Sequence, residues 1–211
     1  MRFAPVLLLS TLLTAAVVAQ QPPTQAPGSK NPAAITGGTY TADAGHTLVE
    51  WTVDHLGFTP YFGLFGNITG TLTLDPKNLA AAKVDVSIPV AEVTTASAGL
   101  TKHLLKPADA GKAADFFGAA PAPARFVSTR VTPSGQTAKI AGNLTLNGVT
   151  RPVTLDAAFY GAGKMPAQMG GKENVGFTAT TSIRRSEFNV GYGIPMVSDE
   201  VKLKITAAFQ K

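Results

Sequence analysis

The amino-acid sequence predicts an all-β fold of antiparallel strands interrupted by one short helical insertion. Three observations carry that expectation. From Thr39 onward, apolar and polar residues alternate with a period of two along most of the chain, the pattern of strands with one buried face. Asn147-Gly148 sits between two such runs, the strongest short-range signal of a β-hairpin. Helical spacing occurs only between Ser97 and Gly118.

Taken in order, Thr47, Val49, Trp51 and Val53 alternate with Leu48, Glu50, Thr52 and Asp54 as the first clear strand. Ile68, Gly70, Leu72 and Leu74 follow, and Asp75-Pro76 starts a turn. Val84, Val86, Ile88 and Val90 form the next strand, which Pro89 disturbs near its end. In the insertion, Leu100, His103, Leu104 and Phe116-Phe117 recur around Pro107, which predicts two short helices with Asp109 capping the second. Residues 124–132 put Phe126, Ser128 and Arg130 opposite Val127, Thr129 and Val131. Strands 137–146 and 149–159 flank Asn147-Gly148, and a glycine-rich loop is expected at 161–171. Val175, Phe177 and Ala179, then Ile183, then Glu187 to Tyr192, precede a closing strand carrying Val201, Leu203, Ile205, Ala207 and Phe209 on one face. Many short strands leave a sandwich or a barrel as the options; a barrel leaves no edge strand exposed. Small residues and threonines on both faces of several strands fit a hollow interior, or merely offset large residues across a filled one.

Ahead of the strands, Arg2, an apolar run from Phe3 to Leu13 and the small residues Ala15 to Ala19 have the order of a secretory signal peptide, with a cut at Ala19-Gln20. Residues 1–19 are therefore expected to be removed, residues 20–38 to form a flexible Pro/Gly-rich tether, and residues 39–211 to form the domain. A signal anchor is the competing reading, because Phe3 to Ala19 approaches the roughly 17 to 25 residues of a membrane span. Ser10, Thr11 and Thr14 weigh against it. No later stretch is long and apolar enough to cross a bilayer as a helix.

The 211-residue chain has no cysteine, which excludes thiol nucleophiles, zinc–cysteine sites and iron–sulfur ligation. Its net charge is +5, or +4 without Arg2, and the Lys and Arg residues are scattered without an aromatic-interleaved basic patch, so nucleic acid is not an expected partner. The charge reads as ordinary solubility or as mild attraction to an anionic surface. His46, His55 and His103 form no metal-ligand spacing, and there is no G-x-S-x-G elbow. Asp54 and His55 are adjacent on a strand and point to opposite faces, so they do not make an acid–base pair. The cluster Leu56 to Gly66 packs four aromatic rings into a loop-like region, as a plug over the core or as the wall and mouth of an apolar pocket.

At these residues the sequence resembles the YceI-like family, exported bacterial proteins with a lipocalin-like barrel that bind polyisoprenoids. The resemblance spans about residues 39–210. Tyr40, Asp43 and His46 resemble its opening, and Val53, His55, Leu56 and Gly57 its valine-x-histidine-leucine-glycine segment. Phe62-Gly63, Phe65 and Gly70, then His103-Leu104, then Asp115-Phe116-Phe117, then Pro123, Phe126 and Ser128 follow in the family's order. The run from Gly142 to Val153 is the longest and most specific match. Gly176-Phe177, Arg185 to Phe188 and Asp199-Glu200-Val201 resemble its closing signatures. Departures stand at Asn143, Glu187 and Asn189, and at Thr101-Lys102 ahead of the insertion histidine.

The resemblance implies an antiparallel lipocalin-like β-barrel with a short helical insertion, located in the periplasm, whose apolar channel holds an isoprenoid lipid such as a polyprenyl phosphate or an isoprenoid quinone. It nominates Trp51, Val53, Phe58, Phe62, Phe65, Leu72, Val86, Ile88, Leu104, Phe116, Phe117, Phe126, Phe177 and Phe188 as lining, with His55, His103, Lys102 or Arg185 meeting a polar head. The leading reading is a non-enzymatic carrier or reservoir with no cofactor, metal or catalytic residue. Transient contact with a membrane surface and a homodimer are further partner expectations. One alternative is a stress-related exported protein acting through a protein partner. The other is an enzyme on a quinone head group, for which His55, His103, Asp109 and Arg185 are the candidates.

Overall fold

A computed structural model of the protein, which describes residues 25–211, holds ten strands: the alternating runs, a short strand at Gly38–Ala42, and one at Thr59–Phe65 inside the aromatic cluster expected to be loop-like. The expected signal segment 1–19 and residues 20–24 of the expected tether lie outside the described residues. The strands are β1 (Gly38–Ala42), β2 (Leu48–His55), β3 (Thr59–Phe65), β4 (Thr69–Leu74), β5 (Lys83–Ile88), β6 (Ala124–Ser134), β7 (Thr137–Leu146), β8 (Val149–Lys164), β9 (Glu173–Arg184) and β10 (Glu200–Gln210). Every pairing between them is antiparallel. The order β1-β4-β5-β6-β7-β8-β9-β10 returns to β1, so eight strands close a barrel, and the β2–β3 hairpin prolongs β1 and β4 at one end. Beyond β3 the wall continues through Thr94, whose N–H and C=O both bond to Leu64 at 2.9 Å.

The closing seam is short. β1 meets β10 at Thr41–Gln210 and Ala42–Phe209, and β2 takes up the same edge of β10 from Leu48–Thr206 onward. Where the chain bows out between them, the buried Thr47 hydroxyl accepts from Ala208 N at 3.1 Å and donates to Ala208 O at 3.0 Å. A side chain thus replaces a missing main-chain pair.

Two irregularities re-aim side chains. A register shift between Ser128 and Arg130 lets Phe126 and Val131 face the same side, although simple alternation would separate them. A second shift lies between Phe159 and Gly161. Asn147 (φ 50°) and Gly148 (φ 77°) make the expected hairpin turn.

The insertion holds one helix rather than two. Helix α1 (Ala98–Leu104) is capped by Ser97, whose hydroxyl accepts from Leu100 N at 3.2 Å. Residues 105–123 stay irregular because Pro107, Gly111, Gly118, Pro121 and Pro123 break any helical run. Asp109 therefore caps nothing and pairs with Lys106 at 3.2 Å, while Phe117 N donates to Leu104 O at 3.0 Å and pins the loop to the helix end.

The far end of the barrel recruits the segment ahead of β1. Ser29 and Ala162 exchange main-chain hydrogen bonds of 2.9 and 2.8 Å, and Ile35 is buried among Tyr40, Leu72, Leu74 and Phe209. From Ser29 onward the stretch expected as a flexible tether is thus bound to the barrel. β8 runs as far as Lys164, where a loop was expected from Gly161, because β9 pairs with it up to Lys164–Glu173, and Ser29 takes its other edge at Ala162 beyond the end of β7.

A polar lock closes this end. The Glu173 carboxylate accepts from Thr36 N (2.9 Å), from the Thr36 hydroxyl (3.1 Å) and from the Tyr40 hydroxyl, with Lys211 Nζ 3.6 Å away. The Tyr40 hydroxyl in turn accepts from Gly37 N at 3.1 Å, and Tyr40 is fully buried. Burial pushes the Glu173 carboxyl up, but the hydrogen bonds from Tyr40 and Thr36 and the Lys211 charge outweigh it and hold its pKa below the ordinary 4.5. Burial, then the bond to Glu173, pushes Tyr40 up to about 12.

The depressed Glu173 value stabilises the fold above the unfolded carboxyl pKa, and that contribution is lost as pH falls through the folded value. The raised Tyr40 value stabilises it below pH 10, and that contribution is lost as pH rises toward about 12. In denaturant titrations, the wild-type midpoint is expected to fall more steeply than that of Glu173→Gln between roughly pH 5 and pH 3. Tyr40→Phe is expected to flatten the alkaline limb.

Candidate functional site

Inward-pointing side chains of the strands leave a cavity of about 960 Å³ along the barrel interior. At the lower end, beside the Glu173 lock, it is bounded by Pro32, Leu79, Pro133 and Gln136. At the upper end, under α1, it is bounded by His55, Ser97, His103 and Tyr192. Between them the wall is built from every second residue of the strands, such as Val84, Val86 and Ile88 of β5 or Leu203, Ile205 and Ala207 of β10. Two glycines make room for large rings in this wall. A Cβ at Gly63 would collide with the Trp51 indole, and one at Gly142 with the Phe126 ring.

Of the residues nominated from the sequence, Trp51, Val53, His55, Phe65, Leu72, Val86, Ile88, His103, Leu104, Phe116, Phe117, Phe126, Phe177 and Arg185 line this channel. Phe58, Phe62 and Phe188 do not, and Lys102 is exposed outside it. Phe62 fails on parity: Tyr61, Gly63 and Phe65 of β3 face the interior side, so Phe62 points outward and is 60% exposed. Phe58 follows the turn at Leu56-Gly57 and is 85% exposed. Phe188 is buried beside Phe126 and Leu144 behind the channel surface, with its carbonyl held by Asn147 Nδ2 at 3.1 Å. The nominations omitted Tyr61, Ile140, Leu144, Leu155, Phe159, Leu203 and Ile205, all inward positions of recognisable alternation, and Tyr192, a loop residue that alternation does not reach.

The upper end is aromatic. His103, Phe116 and Tyr192 meet edge-to-face with ring centroids 5.2 to 5.5 Å apart, and Phe65 meets Phe117 at 6.2 Å. His103 Nε2 lies 2.7 Å from an Asp115 carboxylate oxygen, which fixes the imidazole orientation.

Arg185 carries the only buried cationic side chain among the described residues. Its Nε donates to Ser198 O (2.8 Å), Nη1 to Val190 O (2.9 Å) and Tyr192 O (2.8 Å), and Nη2 to Val197 O (2.7 Å). Four of its five N–H groups are thereby consumed by the backbone of the loop 189–199. Burial lowers its pKa and the nearby Asp199 opposes that. The expected role of meeting a polar head is thus narrowed to one remaining N–H and the charge itself; the main work of the side chain is to shape the upper rim.

The planar fork of arginine cannot be reproduced by an ammonium. Arg185→Lys is expected to lower unfolding stability by about 2 to 4 kcal/mol in denaturant titration, since several buried carbonyls lose their donors.

The YceI-like domain profile matches residues 40–209. Protein YceI of Escherichia coli O157:H7 is 41% identical over 162 residues, covering 76% of this chain and 80% of the relative, and Protein YceI of Shigella sonnei matches equally well. Among solved structures, Burkholderia cenocepacia BcnA aligns with a TM-score of 0.62 at 26% identity over 77% of this chain and 95% of its own. The Campylobacter jejuni YCEI protein aligns with a TM-score of 0.62 at 27% identity over 75% and 89%. A polyisoprenoid binding domain from Saccharophagus degradans shares the fold with a TM-score of 0.53 at 13% identity over 81% and 97%. With a barrel, an insertion helix and a profile match across nearly the whole described domain, the chain belongs to the YceI-like family.

Proposed function

We propose that the protein binds an isoprenoid lipid in its barrel channel and holds or carries it in the periplasm, without catalysis. The observation that carries this reading is the channel itself: a largely apolar lining with the side chains of His55, His103 and Arg185 at its upper end. Taking a methylene as about the size of a water molecule, roughly 30 Å³, 960 Å³ holds on the order of 30 carbons, or about six isoprene units. Each buried methylene contributes roughly 0.8 kcal/mol, so affinity accrues with tail length and requires no binding motif. The fold shared with a domain named for polyisoprenoid binding supports the same ligand class by analogy.

The polar groups at the upper end fit a head group better than a reaction. His103 is held by Asp115 and most Arg185 donors by main-chain carbonyls, and neither is paired with a nucleophile. Tail in the channel and head beside the aromatic cluster is the orientation that leaves the polar end hydrated.

Native mass spectrometry of the mature protein from a bacterial periplasm, followed by solvent extraction, tests this directly. A stoichiometric polyprenyl or isoprenoid quinone mass is expected; an apo mass that also refuses added isoprenoids would overturn the reading. Ala157, paired with Ala179 across β8 and β9, faces the channel. Ala157→Trp is expected to block uptake at least tenfold while changing stability by less than about 1.5 kcal/mol, because the added ring enters open space.

A further inference from the structure

We infer that the upper rim of the barrel is a docking surface for a lipid bilayer, an inference that rests on the lipid-channel reading above. Leu56, Phe58 and Phe62 of the β2–β3 hairpin and Tyr192, Ile194 and Met196 of the loop 189–199 all stand exposed. Hydrogen bonding ties the two segments into one surface. Leu56 N donates to Met196 O at 2.7 Å, Ser198 N donates to Asp54 O at 2.9 Å, and His55 bridges to Val197. At the opposite end, exposed Leu79, Tyr160 and Met169 stand on separate elements: the turn between β4 and β5, strand β8, and the turn between β8 and β9.

The hairpin tip keeps its apolar residue against local preference. Leu56 has φ of 60°, a left-handed conformation that disfavours a branched side chain and that asparagine or glycine adopts readily. Asp54 Oδ1 accepts from Gly57 N at 2.7 Å and holds the turn in that shape. A turn shaped only for stability would place a polar residue there. Here both the conformation and the solvent exposure of Leu56 are unfavourable in the free protein.

Continuity with the channel identifies the occupant. His55, Tyr192 and Val197 line the channel; His55 adjoins Leu56 and Val197 adjoins Met196 in the chain, and Ile194 follows Tyr192 by two positions. With the rim seated in a bilayer, a tail passes from hydrocarbon to channel without crossing water. A protein partner without an apolar phase of its own would gain nothing from that continuity. Aromatic and aliphatic side chains on a hairpin tip suit the head-group boundary. The net charge of +4 over the described residues, +5 for the whole chain less Arg2, adds attraction to anionic lipid.

The test compares wild type with the triple variant Leu56→Asn, Phe58→Ser, Met196→Ser, none of whose positions lines the channel. Asparagine suits the left-handed turn, so the variant is expected to keep its thermal midpoint and to take up geranylgeraniol dispersed from ethanol as wild type does. Wild type is expected to co-sediment with vesicles of phosphatidylethanolamine and phosphatidylglycerol and to extract geranylgeraniol from them. The variant is expected to lose at least about tenfold in both, since interfacial binding scales with the apolar area inserted. Equal extraction by the variant would overturn the docking surface. So would a wild-type dimer that the substitutions abolish and that ignores vesicles, because a second copy would then cover the rim. Failure of wild type to take up dispersed geranylgeraniol would overturn the channel reading itself, and the inference with it.

Discussion

Main-chain hydrogen bonds running in a complete circuit through eight strands allow this barrel to keep an unfilled interior. In a layered fold the core must be packed because side-chain contact is what holds one layer to the next. Here each strand is held by its two neighbours, so the inward side chains can form a lining rather than a plug. The packed clusters reflect that division. Ile35, Tyr40, Leu74 and Phe209 close together at the lower end, and Phe126, Leu144 and Phe188 pack at the upper end, leaving the bore between them.

A hollow centre leaves the end segments without a core to rest on, and each end is fixed by one charged side chain instead. Below, the Glu173 carboxylate gathers donors from the segment ahead of β1 and from Tyr40. Above, the Arg185 guanidinium distributes donors to the carbonyls of the loop 189–199. The chemistry is mirrored: an acceptor gathers one irregular segment, a donor the other. Below, most of the partners are side-chain groups; above, all four are main-chain carbonyls that would otherwise lack donors.

Much of this was legible in the sequence because strands announce themselves through a period of two. The walls around Trp51, Leu72, Val86 and Phe177 follow directly from it, as does the turn at Asn147-Gly148. Parity alone would have excluded Phe62 once Phe65 was placed inside. What alternation cannot register is an inserted residue, so the shared facing of Phe126 and Val131 emerges only from the β6–β7 pairing. Nor does it register contacts between distant segments. Ser29 pairs with Ala162 on the free edge of β8, the capture of Arg185 depends on carbonyls up to thirteen positions away, and Tyr192 joins the aromatic cluster through that same loop. The second expected helix failed for a local reason: apolar spacing around Phe116 suggested it, while the prolines and glycines around that spacing forbade it.

The two-pair seam between β1 and β10 joins positions 169 residues apart, as Gln210 faces Thr41. During synthesis, every strand up to β9 is made before the one that completes the circuit. Until β10 arrives, the nascent sheet presents two raw edges and an open apolar trough, the condition in which β-rich chains aggregate. Non-local closure is also slow, because the long loop must be ordered before its contacts repay the lost entropy. A chain built this way benefits from being held unfolded until it is complete, and its yield in the cell should depend more on chaperone supply than on the final stability of the barrel.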